Sequence, residues 1–121
     1  MRKMVTLLLP VLLAVFGTTA WADQEDMDFV TGEHWMSSNL EQKRAFIFGI
    51  GNMLELEEAM AGDDYESMRG RSIVPVLLEG LTGTSVADTV TQLDKFYAGH
   101  PDQTNRPVIG VLYLELALPN L

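Results

Sequence analysis

From residue 23 onward, apolar and polar positions alternate with a period of three to four residues, the spacing of a helix with one buried face, and not with the two-residue period of a strand. The chain therefore predicts an all-α fold: a small compact bundle of about four helices. The first is short, Thr31-Gly32-Glu33-His34-Trp35-Met36, with Thr31 as its cap and Trp35 and Met36 turned inward. Ser38-Asn39-Leu40-Glu41 has the S-x-x-E form of a capping box, in which hydroxyl and carboxylate satisfy each other's free backbone donors, and it predicts the start of a second helix. Leu40, Phe46, Ile47, Ile50, Met53, Leu54 and Met60 form its apolar set, and Gly62 is its natural stop. Gly49 and Gly51 fall in its middle, where each costs about 1 kcal/mol relative to alanine. A neighbouring helix passing close is the preferred compensation, a kink the other.

Asp63 to Gly70 is polar and turn-rich and is expected as a loop. Ile73-Val74-Pro75-Val76-Leu77-Leu78 fits either a helical turn starting near Pro75 or a short extended segment, because proline cannot sit inside a regular helix without losing a hydrogen bond. The clearest helix starts at Thr84 or Ser85, with Asp88 in the first turn where negative charge suits the helix dipole. Val86, Val90, Leu93, Phe96 and Tyr97 mark its inward stripe, and Gly99-His100-Pro101 ends it. Asn105 is expected to cap a last helix with Pro107 in its first turn. That helix is apolar nearly all round from Val108 to Leu118, which fits either a central core helix or part of a homodimer interface, and Pro119 stops it.

The N-terminus changes the setting. Arg2 and Lys3, an apolar run from Val5 to Phe16 and the small-residue pattern Ala20-Trp21-Ala22 have the order of a cleavable export signal over residues 1–22. The run is short for a bilayer span, so a free domain of residues 23–121 is expected in the periplasm, with no membrane attachment after cleavage. Without cysteine, that domain has no disulfide, and packing alone must hold it. The whole chain carries a net charge of −9; residues 23–121 hold six Lys and Arg against all seventeen Asp and Glu, a net charge of −11. Such a surface repels nucleic acid and favours basic partners, although solubility alone would also account for it.

Little in the chain suggests catalysis. His34 and His100 are distant in sequence and lack companions at ligand spacing, so no metal, cofactor or catalytic residue is assigned. Glu55, Glu57 and Glu58 read as a solvated helix face. The serines lack a nucleophile-elbow context, and there is no glycine-rich phosphate loop. Asp63-Asp64-Tyr65-Glu66 is the candidate partner-binding segment: one aromatic among carboxylates on an exposed loop is what a protein-binding surface often presents, and an ordinary solvated loop has the same composition.

In order, the export signal, Thr31-Gly32 leading to Trp35, Lys43-Arg44-Ala45-Phe46-Ile47-Phe48-Gly49-Ile50, Thr84 through Val90 leading to Phe96-Tyr97, His100-Pro101, and Arg106-Pro107 before an apolar helix ending at Pro119 resemble the type VI secretion amidase-immunity family. The resemblance implies a periplasmic helical protein that binds and inhibits a peptidoglycan amidase effector and has no chemistry of its own. Family members usually carry cysteines where this chain has Met36 or Ser37, Ile73 or Val74, and Asn120. The competing expectation is a small envelope stress or acid-responsive chaperone without an amidase partner, using the apolar last helix and seven methionines as an adaptable surface.

Overall fold

A computed structural model of the protein describes residues 28–121, so the export signal, its cleavage site and the expected new N-terminus at Asp23 lie outside the described residues. Five helices run in the order α1 (Gly32–Ser37), α2 (Leu40–Ala61), α3 (Val74–Gly80), α4 (Val86–Gly99) and α5 (Val108–Val111). A 3-10 segment, Gly62–Met68, follows α2, and a shorter one, Pro101–Gln103, follows α4. α5 runs directly into a π-helical turn, Leu112–Ala117, and closes in a 3-10 turn, Leu118–Asn120. Among the described residues there is no strand; one isolated bridge pairs Thr31 with Pro107. The fold is all-α.

Trp35 is the large side chain by which α1 is anchored in the core. Its indole is 1% exposed and donates from Nε1 to Asp94 Oδ1 on α4 at 2.8 Å. The same oxygen accepts from Lys43 Nζ on α2 at 2.8 Å, so one carboxylate joins three helices. Met36, expected inside, is exposed, because a six-residue helix can bury only one side. The cap of α2 also differs from expectation by one residue. Asn39 Oδ1 accepts from the Gln42 amide at 2.8 Å and Gln42 Oε1 accepts from the Asn39 amide at 2.9 Å. Ser38 is used to finish α1, its hydroxyl donating to the His34 carbonyl at 2.7 Å.

α2 buries Ile47 and Leu54 and half-buries Phe46 and Ile50, while Leu40, Met53 and Met60 of its expected apolar set face solvent. Stepping by three and four from Lys43 through Ile47 and Ile50 to Leu54 marks the inward line, and Met53 and Met60 are rotated off it. Gly62, at φ 51°, terminates the helix as expected. The close neighbour expected at Gly49 and Gly51 is absent: a Cβ at either position would meet nothing within 4 Å. Glycine is needed for close approach at Gly80 instead, where a Cβ would overlap the backbone of Ala117.

Val74 to Leu78 resolves to helix, with Ile73 as its N-cap and Pro75 inside the first turn of α3, where its missing N–H has no helical partner to lose. Ser85 caps α4 by accepting from the Asp88 amide at 3.0 Å, and Val90, Leu93 and Tyr97 form its buried stripe. His100 is the C-cap, its Nδ1 donating to the Phe96 carbonyl at 2.7 Å. Asn105 does not cap the last helix, and Pro107 precedes it instead of occupying its first turn. The connection is drawn against α1: Glu33 donates to the Thr104 carbonyl at 3.0 Å, Gly32 to the Arg106 carbonyl at 3.1 Å, and Val108 to the Val30 carbonyl at 2.8 Å. Tyr97 Oη reinforces this junction by donating to the Arg106 carbonyl at 2.9 Å, and its burial raises the phenol's pKa.

The π turn has a local cause in the sequence. Val108, Val111 and Leu112 are buried, and regular α spacing would next turn Glu115 inward. A π turn aligns residues five apart instead. It therefore places Leu116 behind Val111 and Ala117 behind Leu112, both buried, and releases Glu115 to meet Arg106 at 3.0 Å. The last helix is thus part of the central core, in one cluster with Leu77 and Leu93, with Leu114 and Leu118 on its exposed side.

Candidate functional site

A half-open cleft of about 590 Å³ lies between the long α2 and the shorter α3, with Tyr65 of the 3-10 segment and Val86 and Thr89 of α4 also lining it. Its volume falls within the range of about 300–1,000 Å³ typical of small-molecule sites. Ile47, Leu54, Leu77 and Leu112, all buried core residues, supply an apolar floor. Glu55 and Glu58 from α2 and Glu79 from α3 stand along the rim, and no Lys, Arg or His lines the space. Phe48, 64% exposed, flanks it on the α2 side. Gly51 lies in the same wall, and with no Cβ it adds no bulk there.

The candidate segment Asp63-Asp64-Tyr65-Glu66 divides in two. It is not an open loop but part of the 3-10 helix Gly62–Met68. Tyr65 is half-buried, packs on the core and lines the cleft; Asp63 and Asp64 are exposed and do not line it. Burial raises the Tyr65 phenol's pKa, and the nearby carboxylates Glu79 and Glu58 push it the same way. Glu66 is outside the cleft but fastens its end wall. Arg69 Nε donates to Glu66 Oε2 at 2.7 Å, and Arg69 Nη1 donates to Glu79 Oε2 at 3.0 Å, with a second bond from Nη2 to Glu79 Oε1. Hydrogen bonding to this guanidinium holds both glutamates below the usual carboxylate range, and the two carboxylates raise Arg69 in turn.

Glu55 and Glu58 are solvent-exposed, as their spacing suggested, yet they border the cleft, which periodicity within one helix cannot reveal because α3 forms the other bank. Glu79 carried no signal of its own in the sequence. The histidines are used locally. His34 Nδ1 accepts from the Thr31 amide at 3.2 Å at the start of α1, and the His100 ring stacks on Phe96 at 4.5 Å at the end of α4. Among the described residues, no group of three or more His, Cys, Asp or Glu is arranged to hold a metal, and no helix is long and apolar enough to cross a membrane. What the cleft offers chemically is an apolar floor with the carboxylates Glu55 and Glu58 on one bank and the Arg69-paired Glu79 on the other, suited to an apolar side chain with a cation beside it. No family model, curated protein or solved structure matches this chain.

Proposed function

We propose that the chain is a periplasmic protein-binding domain that acts by occlusion, in the manner of the amidase-immunity proteins it resembles, and that its partner is a peptidoglycan amidase. The observation that carries this reading is the lining of the cleft: an apolar floor with Glu55 and Glu58 on its α2 bank, neither ion-paired among the described residues, and Glu79, paired with Arg69, on the other. A partner segment presenting an aliphatic or aromatic side chain flanked by Lys or Arg fits that lining. The acidic surface speeds the encounter and the buried floor supplies the residence time. Tyr65, held over the end of the cleft by the 3-10 segment, is the aromatic contact, and Arg69 keeps that end in place through Glu66 and Glu79.

Purified protein titrated into a panel of envelope peptidoglycan amidases tests the reading. The expected outcome is stoichiometric inhibition of at least one amidase, weakened at least tenfold by the paired change Glu58→Lys and Glu79→Lys and more strongly at low salt than at high. If no amidase is bound or inhibited, the immunity role is wrong. If inhibition survives the paired change intact, the cleft is not where binding occurs.

A further inference from the structure

The outward side of α2 carries a pattern that nothing else in the described fold uses. Ala45, Gly49, Asn52, Leu56 and Ala59 step by four, three, four and three, the spacing of a helix-pairing seam. Every one of them is exposed, and so are Phe48, Met53 and Met60 beside them, Leu56 to 60% and Met60 to 74%. No charged residue interrupts the line between Ala45 and Met60; Glu55 and Glu58 lie on one flank of it and Glu57 on the other. Gly49 sits on this line with open space above it, so the backbone is accessible to close approach there, and no element of this chain makes that approach.

We infer that this face of α2 is a two-fold interface with a second copy of the chain, the two α2 helices running antiparallel and crossing between Gly49 and Asn52. The charge distribution chooses both the occupant and the direction. Arg44, near the start of α2, makes no ion pair among the described residues, whereas Glu55 and Glu58 on the same flank lie toward its end. A parallel pair brings this flank against the partner's opposite one, where Glu57 stands beside Glu55 and Glu58 and Arg44 meets no carboxylate. An antiparallel pair crossing at Gly49–Asn52 sets Arg44 along the flank carrying the partner's Glu55 and Glu58, and the reverse by symmetry. The same register places Ala45 opposite Leu56 and Gly49 opposite Asn52, a small group facing a larger one at each level of the seam, with Met53 and Met60 along its other edge. The two glycines of α2 then have separate roles, Gly51 widening the cleft wall and Gly49 admitting the second helix.

The inference does not depend on the identity of the cleft's partner. Because the chain has no cysteine, a single introduced one reports position without interference. The protein as its host produces it is expected to have twice the chain mass in light scattering at micromolar concentration. Asn52→Cys should crosslink to its copy through a short thiol-reactive linker, while Thr91→Cys on the outer side of α4 should not. Leu56→Glu should weaken the dimer at least 100-fold and Arg44→Glu about tenfold, with recovery when Arg44→Glu is combined with Glu55→Arg and Glu58→Arg. Leu56 and Arg44 are exposed in the monomer, so helical circular dichroism should be unchanged in each variant. A monomeric mass overturns the inference, as does a dimer indifferent to Leu56→Glu. A monomer that holds unfolded clients through this face would assign it to chaperone-like binding instead and equally overturn it.

Discussion

The same chemical change, glycine to alanine, is expected to act with opposite sign at two helical positions. At Gly51, inside α2, a Cβ meets nothing within 4 Å, so alanine should bring only its helix-propensity advantage of about 0.5–1 kcal/mol. At Gly80, the last residue of α3, the added Cβ would overlap Ala117 backbone atoms, and its Cα would be only 2.6 Å away. Backbone cannot rotate aside as a side chain can. The π turn carrying Ala117 would have to retreat, although Leu116 beside it and Leu112 one π turn before it are buried. Overpacking of this kind costs about 1–3 kcal/mol, which exceeds the propensity gain available at a helix end. A domain of this size shifts by about 4–8 °C per kcal/mol, so Gly51→Ala should melt a few degrees above the parent and Gly80→Ala several degrees below it. Urea unfolding at one fixed protein concentration separates this from self-association: the midpoints should move in opposite directions while the slopes stay equal. A Gly80→Ala protein as stable as the parent would refute the close α3 contact, and a destabilised Gly51→Ala would refute the open surface of α2.

Two further outcomes follow from the polar groups. Asp94→Ala should cost about 1–3 kcal/mol, because it leaves the Trp35 N–H buried without an acceptor and releases Lys43; Asp94→Asn, which keeps an acceptor, should cost less, and thermal melts of the two variants check the order. Arg69 holds the Glu66 and Glu79 carboxyls below the usual range, so their contribution to stability is present above that range and is lost as pH falls through their lowered values. Arg69→Gln should raise both carboxyl titrations in NMR and move the onset of acid unfolding to higher pH; unchanged titrations would show that the pairing is not formed in solution.

What was legible in the sequence was local. The helical period, the Ser85 cap, the stop at Gly62 and the inward stripe Val90, Leu93, Tyr97 rest on neighbours within one or two turns, and local backbone physics is enough to set them. Near misses were local too. Asn39 and Ser38 are both competent caps, and only the need for Ser38 to close α1 assigns the box to Asn39 and Gln42. A break in the pattern was visible in retrospect at Glu115, where α periodicity would have buried a carboxylate.

The cleft was another matter. Glu55, Glu58, Tyr65 and Glu79 come from three separate elements, and no spacing along the chain states that α2 and α3 part to let them face one space. Composition likewise could not say which of the apolar residues on α2 belong to the core. Ile47 and Leu54 are covered by the rest of the fold, while Phe48 and Leu56 are left outside. The sequence by itself determined the helices, because their hydrogen bonds and caps close within a few residues. Only the tertiary structure decided which glycine is crowded, which glutamates share a site and which face of α2 has no partner, because each depends on where a distant segment comes to rest.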